Sequence, residues 1–91
     1  MRNVLLVGYD LKKPGQNYAG LITYLKSQSS WWHALDSSWI VITDLSAVRL
    51  RDGIKEYIDA NDVVLVMDIN VSSWASSGLG KEASDWLQQN V

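Results

Sequence analysis

Two near-continuous apolar runs constrain this chain most. Val4-Leu5-Leu6-Val7 stands near its start, and Val63 to Ile69 stands late in it. Neither run approaches the length of a membrane span. Each reads as a β-strand, and the unbroken character of the first predicts a central strand covered on at least one face. Something amphipathic has to supply that cover. Tyr18, Leu21, Ile22 and Leu25 fall at i, i+3, i+4 and i+7, which predicts a helix over 17–27 with Gln16 or Asn17 at its cap. Gly20 costs that helix about 1 kcal/mol relative to Ala unless close packing compensates. A second helix follows Ser46, a good N-cap, with Ala47, Leu50, Ile54, Tyr57 and Ile58 as its stripe.

Between the helices, Trp31–Leu35 and Trp39–Thr43 are strand-like, and Asp36-Ser37-Ser38 reads as the hairpin turn. Alternation puts Trp31, His33 and Leu35 on one face, and Trp39, Val41 and Thr43 on one face of the next strand. A Ser/Gly-rich segment, Ser72–Gly80, precedes a short helix over 81–89 with Leu79, Ala83, Trp86 and Leu87 on one side. The element order β-α-β-β-α-β predicts an α+β, ferredoxin-like domain spanning 1–91, with its core in 3–69. Its antiparallel sheet has the order 4-1-3-2, and right-handed crossovers place both long helices on one face.

The composition narrows the function classes. Ninety-one residues make one domain with one core. The net charge is -2 and the eight basic residues are scattered, with only Lys12-Lys13 and Arg49/Arg51 close together, so a monomer is not expected to grip a phosphate backbone tightly, which leaves open a local basic patch or one shared across a dimer. The chain has no cysteine, which excludes disulfides and thiolate metal sites. Residues 1–20 show no signal-peptide pattern, and the expected location is cytoplasmic, with no membrane partner. Five Trp and four Tyr, with no Phe, are more amphipathic aromatics than so small an interior hides. Exposed aromatic surface predicts a homodimer, with Trp32 at the contact and Trp31–Leu35 as a Pro-free edge strand that a second chain pairs with.

The expected topology gathers Tyr9, Asp10, Lys12, Lys13, Asp36, Ser37, Ser38 and Asp62 at one sheet edge, where loops carry chemistry. Asp10 is the candidate catalytic residue and metal ligand, because a hard cation such as Mg2+ needs only one or two carboxylates plus waters and a substrate phosphate. Asp36, Asp62 or a second copy of Asp10 across a dimer axis would complete the set. The alternative is that Asp10 accepts N–H bonds from the following turn or pairs with Lys12 or Lys13. Tyr9, Lys12, Lys13 and Ser38 are candidate binding residues. Asp68 falls at the opposite edge, where Arg2 is its expected partner. His33, the one histidine, reads as half-buried and structural. A Ser37-His33-Asp36 triad is disfavoured because side chains within one hairpin alternate faces. Trp31, Trp32 and Trp39 form either a stacking platform for bases or packing and interface surface. Lys13-Pro14-Gly15 lacks the phosphate-loop pattern.

Strand 1, ending Val7-Gly8-Tyr9-Asp10-Leu11, together with Ser38-Trp39-Ile40-Val41, resembles the CRISPR-associated Cas-two/VapD superfamily. Tyr9-Asp10-Leu11, Pro14-Gly15-Gln16, Trp31-Trp32-His33 and Leu35-Asp36-Ser37-Ser38-Trp39 are most similar to its SinR-like bacterial members. The likeness covers about residues 3–69. It implies a small ferredoxin-like homodimer, either a metal-dependent nuclease acting on RNA or DNA or a structural subunit. Asp10 maps onto the superfamily's strand-end acid. Lys12 and Lys13 stand where family nucleases often carry arginines, and the C-terminal strand that members often exchange across the dimer is replaced by a Ser/Gly-rich segment and a helix. Two functions follow as expectations: a Mg2+-dependent phosphodiesterase with Asp10 at the metal, or a non-catalytic dimeric module that binds a protein or nucleotide partner in a toxin–antitoxin or defence-related system.

Overall fold

Leu5 and Val7 are fully buried, and the residues between and around them face the other way. That alternation divides the molecule into two cores, one on each face of a single sheet. The computed structural model describes residues 2–12 and 18–91. In chain order its elements are β1 (Asn3–Asp10), α1 (Ala19–Lys26), β2 (Ser30–Leu35), β3 (Ser38–Thr43), α2 (Ala47–Lys55), β4 (Val63–Asp68) and α3 (Lys81–Asn90). The fold is α+β. Its four strands lie in the order β2-β3-β1-β4, which read from the other edge is β4-β1-β3-β2, and every neighbouring pair is antiparallel.

On the first face, Leu5, Val7, Trp39 and Val41 meet Leu21 and Leu25 of α1 and Leu50 and Ile54 of α2, all fully buried. Burying each such side chain contributes roughly 1.5–3 kcal/mol. The Ser46 hydroxyl accepts from the Arg49 amide at 3.2 Å and caps α2 as its sequence predicts. The expected cap of α1, Gln16 or Asn17, lies outside the described residues. The two helices approach through glycines. A side chain on Gly53 would collide with the phenol of Tyr24, and one on Gly20 would come within 2.8 Å of the Tyr57 ring. Tyr24 and Tyr57 stack on each other with centroids 5.3 Å apart. Gly20 is therefore the close-packing case that its helix cost requires.

The second face is covered only in part. Trp32, Ile40 and Leu87 form its buried core, with Val4, Leu6, Ile69, Leu79, Ala83 and Trp86 packed around them. α3 is docked there by two indoles. Trp32 Nε1 donates to the Ala83 carbonyl at 3.1 Å, and Trp86 Nε1 donates to the Ser30 hydroxyl at 2.9 Å. Trp32 is only 7% exposed, so it is not the interface residue its sequence context suggests. The terminal helix covers it.

Two further expectations need correction. The β2–β3 register shifts between Trp32 and Leu35. This bulge turns Leu35 away from Trp31 and His33, and it lines the same cavity as Trp32 and Ile40. Leu35 faces Ser38 across a two-residue turn, and neither Asp36 nor Ser37 takes a positive φ. Without the primed turn that matches strand twist, the pairing beside the turn becomes irregular. Arg2 does not pair with Asp68; its guanidinium donates to the Asn90 carbonyl at 3.2 Å. No described helix is long and apolar enough to cross a membrane.

Candidate functional site

The register assembles the strand-end edge as the topology predicts. Asp10 lies opposite Val63 at the start of β4, Gly8 lies opposite Ser38, and the Tyr9 amide donates to the Ser37 carbonyl at 3.1 Å. The hairpin, the end of β1 and the start of β4 therefore share one edge. Asp10 is exposed, and Lys12 Nζ sits 2.6 Å from its Oδ2. This is the ion-pair alternative for Asp10. The pair is open to solvent on both sides, so its attraction is heavily screened.

Asp62 is the organising carboxylate of this edge. Its Oδ1 accepts from the Lys12 amide at 2.7 Å, and its Oδ2 accepts from the Asp59 amide at 2.8 Å. The Tyr18 hydroxyl donates to the same carboxylate, 3.1 Å from Oδ2. One side chain thus ties the chain after β1, the entry to α1 and the turn before β4. An aspartate just before a strand that follows a helix is the sequence signal for such a turn cap.

The other named residues divide into those at this edge and those elsewhere. The Tyr9 hydroxyl accepts from Trp39 Nε1 at 3.0 Å, so it is committed to the core wall. Ser38 is half-buried beside Gly8, on the same sheet face as Asp10 by strand alternation. A side chain added at Gly8 would meet nothing, so the surface between Ser38 and Asp10 is open. Lys13 lies outside the described residues. His33 stacks on Trp39 with centroids 3.8 Å apart, and its Nε2 lies 3.1 Å from the Asp36 carbonyl oxygen. That oxygen only accepts, so Nε2 carries the proton in this contact. The imidazole thereby engages the Asp36 backbone, not a Ser-His-Asp relay. Trp39 is fully buried and Trp32 nearly so, which leaves only Trp31 presented, with Lys26 Nζ 4.9 Å from its ring centre. The three indoles do not form a stacking platform.

Among the described residues, no three His, Asp or Glu side chains gather to hold a metal. Asp10 faces an ammonium, and Asp62 is engaged by two amides and a phenol.

A second feature was hidden in the sequence by the uniformly apolar character of β4. Val64 and Val66 pack into the first core, whereas Val63, Leu65 and Met67 stand 53%, 60% and 47% exposed on the second face. β4 is also a sheet edge. The Ile69 amide donates to the Val4 carbonyl at 3.0 Å, so by alternation Val64, Val66 and Asp68 turn their backbone groups away from β1. On the α2 side the edge is flanked by Val48 and Arg51. The strand contains no Pro or Lys, and its one charge, Asp68, is at its end. The opposite edge, β2, is interrupted by its bulge and packed by α3 and α1. Of the two edges, β4 pairs in unbroken register along its whole length, with α2 packed on one of its faces. Against protein-family models, curated proteins and solved structures, the chain finds no match.

Proposed function

We propose that this chain is a non-catalytic binding module that acts as a homodimer, joined by antiparallel pairing of β4 with β4 of a second copy. The observation that carries this reading is the β4 edge itself: outward-facing backbone groups on Val64, Val66 and Asp68 beside exposed Val63, Leu65 and Met67. A two-fold axis at Val66 makes the contact self-complementary, apolar on apolar, with no like charges opposed within the strand. The joined sheet has eight strands and one continuous apolar face, which suits a protein partner. The scattered basic residues do not suit RNA or DNA.

The β-α-β-β-α-β order with β1 and β3 central supports the ferredoxin-like reading. The dimer edge moves from the expected β2 to β4 because the β2 register is broken by its bulge and that of β4 is regular throughout. Sedimentation at micromolar concentration tests the assembly. A dimeric mass for the wild type and a monomeric mass for Val66→Pro, which removes an outward amide donor, are expected. A monomeric wild type overturns the proposal.

The metal-dependent nuclease remains the second reading, because exposed Asp10 and Ser38 share an open face across Gly8. A carboxylate from a second copy would have to complete it. In the β4-paired dimer, strand spacing and rise put the two Asp10 residues roughly 25 Å apart. That dimer cannot form one shared metal site. Mg2+-dependent cleavage of RNA or DNA by the wild type, lost in Asp10→Asn, would establish the second reading.

A further inference from the structure

The covered half of the second sheet face holds a cavity of about 340 Å3 that uses neither the strand-end edge nor the β4 edge. Its floor is Trp32, Leu35 and Ile40, and its far wall is the segment carrying Trp74, Ser76 and Ser77. Gly78, at φ 84, reverses that segment towards α3, a backbone state that favours glycine. The volume falls in the range of small-molecule pockets, roughly 300–1,000 Å3, and is too small for a packed helix about 10 Å across.

The lining states the chemistry of an occupant. No charged side chain lines the cavity, although charged residues make up 20% of the chain. An ion would lose its hydration there and find no side-chain counter-charge. The Trp32 indole N–H is already given to Ala83, whereas the Trp74 indole N–H makes no hydrogen bond within the described residues. Besides Trp32, Trp74, Ser76 and Ser77 are the residues of the lining whose side chains carry hydrogen-bond donors, in an otherwise apolar space. We propose that this cavity binds an uncharged, largely apolar small molecule with one hydrogen-bond acceptor, its body against Trp32 and Ile40 and its acceptor towards the Trp74–Ser77 wall. The argument for an occupant does not rest on the dimer proposed above, although Ile69 of the lining lies next to the β4 contact.

The test uses prodan, a neutral naphthalene ketone whose emission shifts to the blue in apolar surroundings. Titrated into the full chain, it is expected to saturate at one molecule per chain with blue-shifted emission. Ala75→Trp, which places a bulky side chain in the wall, is expected to weaken binding at least tenfold. Trp31→Ser, which removes an exposed indole elsewhere, is expected to leave it unchanged. In nitrogen–proton spectra of the wild type, the Trp74 indole signal, assigned through Trp74→Phe, should move on saturation while that of Trp39 stays. These spectra decide the matter even if Ala75→Trp does not fold. Binding that fails to saturate, that survives in a folded Ala75→Trp, that is lost in Trp31→Ser, or that leaves the Trp74 signal in place would overturn the proposal.

Discussion

Lys12 Nζ lies 2.6 Å from Asp10 Oδ2, and the two side chains remain 45% and 67% exposed. The strand-end carboxylate on which a catalytic reading depends is thus held by a neighbour two residues away, in a pair weakened by solvent. Exposed pairs of this kind are worth about 0–1 kcal/mol. Asp10→Asn is expected to lower the unfolding free energy by less than about 1 kcal/mol in urea titrations. It is also expected to leave the sedimentation of the protein unchanged.

The α1–α2 contact makes opposite demands on its two glycines. Gly53→Ala drives a methyl group into the Tyr24 phenol, which is wedged against the helix, and is expected to cost about 1–3 kcal/mol in chemical unfolding. Gly20→Ala gains about 1 kcal/mol of helix propensity and meets only the ring of Tyr57, which is 42% exposed and free to shift. Its expected effect is within about 1 kcal/mol of zero. Equal, large losses at both positions would show that the ring of Tyr57 is as fixed as that of Tyr24.

Burial, aided by the neighbouring Tyr57 phenol, raises the Tyr24 hydroxyl above its ordinary value of 10.0. Tyr24 therefore keeps its proton in the folded chain at a pH where the unfolded chain has lost it. Its contribution to stability is full below pH 10.0 and declines as pH rises through the folded value. Unfolding midpoints followed from pH 8 to 11 are expected to fall at the alkaline end for the wild type and less so for Tyr24→Phe. Tyr57→Phe should give a smaller flattening, because only the second cause is removed.

Trp32 ties α3 to the sheet through packing and one hydrogen bond to Ala83. Trp32→Phe keeps most of the packing and leaves the carbonyl without its indole donor, an expected loss of about 1 kcal/mol. Trp32→Ala opens a cavity beneath α3, with an expected loss of about 3–5 kcal/mol. Thermal melts of the two variants check the order and the gap.

The fold was largely legible because its signals are periodic. The stripe on 18–25, the Ser46 cap and the apolar β1 each point to the element observed. What stayed hidden depended on which surfaces meet. Trp32 has the same local sequence whether α3 covers it or a partner does, and only the docking of Ala83 and Trp86 decides. Leu35 breaks the alternation because a bulge adds a residue, and nothing in Trp-Trp-His-Ala-Leu marks it. At the site, the spacing of Asp10 and Lys12 allowed the ion pair. The role of Asp62 required the turn that brings it to the Lys12 amide and the Tyr18 hydroxyl. The expected order already placed β4 at an edge, but its run is apolar throughout, so the alternation of packed Val64 and Val66 with exposed Val63, Leu65 and Met67 is not marked in the sequence.

The most direct measurement for the β4-paired dimer is amide hydrogen exchange at Val64, Val66 and Asp68 as a function of protein concentration. These amides point away from β1 and have no partner among the described residues. Under strand pairing they are expected to be protected at high concentration and to exchange rapidly on dilution, while Leu65 and Met67, bonded to β1, stay protected throughout. Rapid exchange of Val64, Val66 and Asp68 at every concentration, with Leu65 and Met67 protected, would contradict the account.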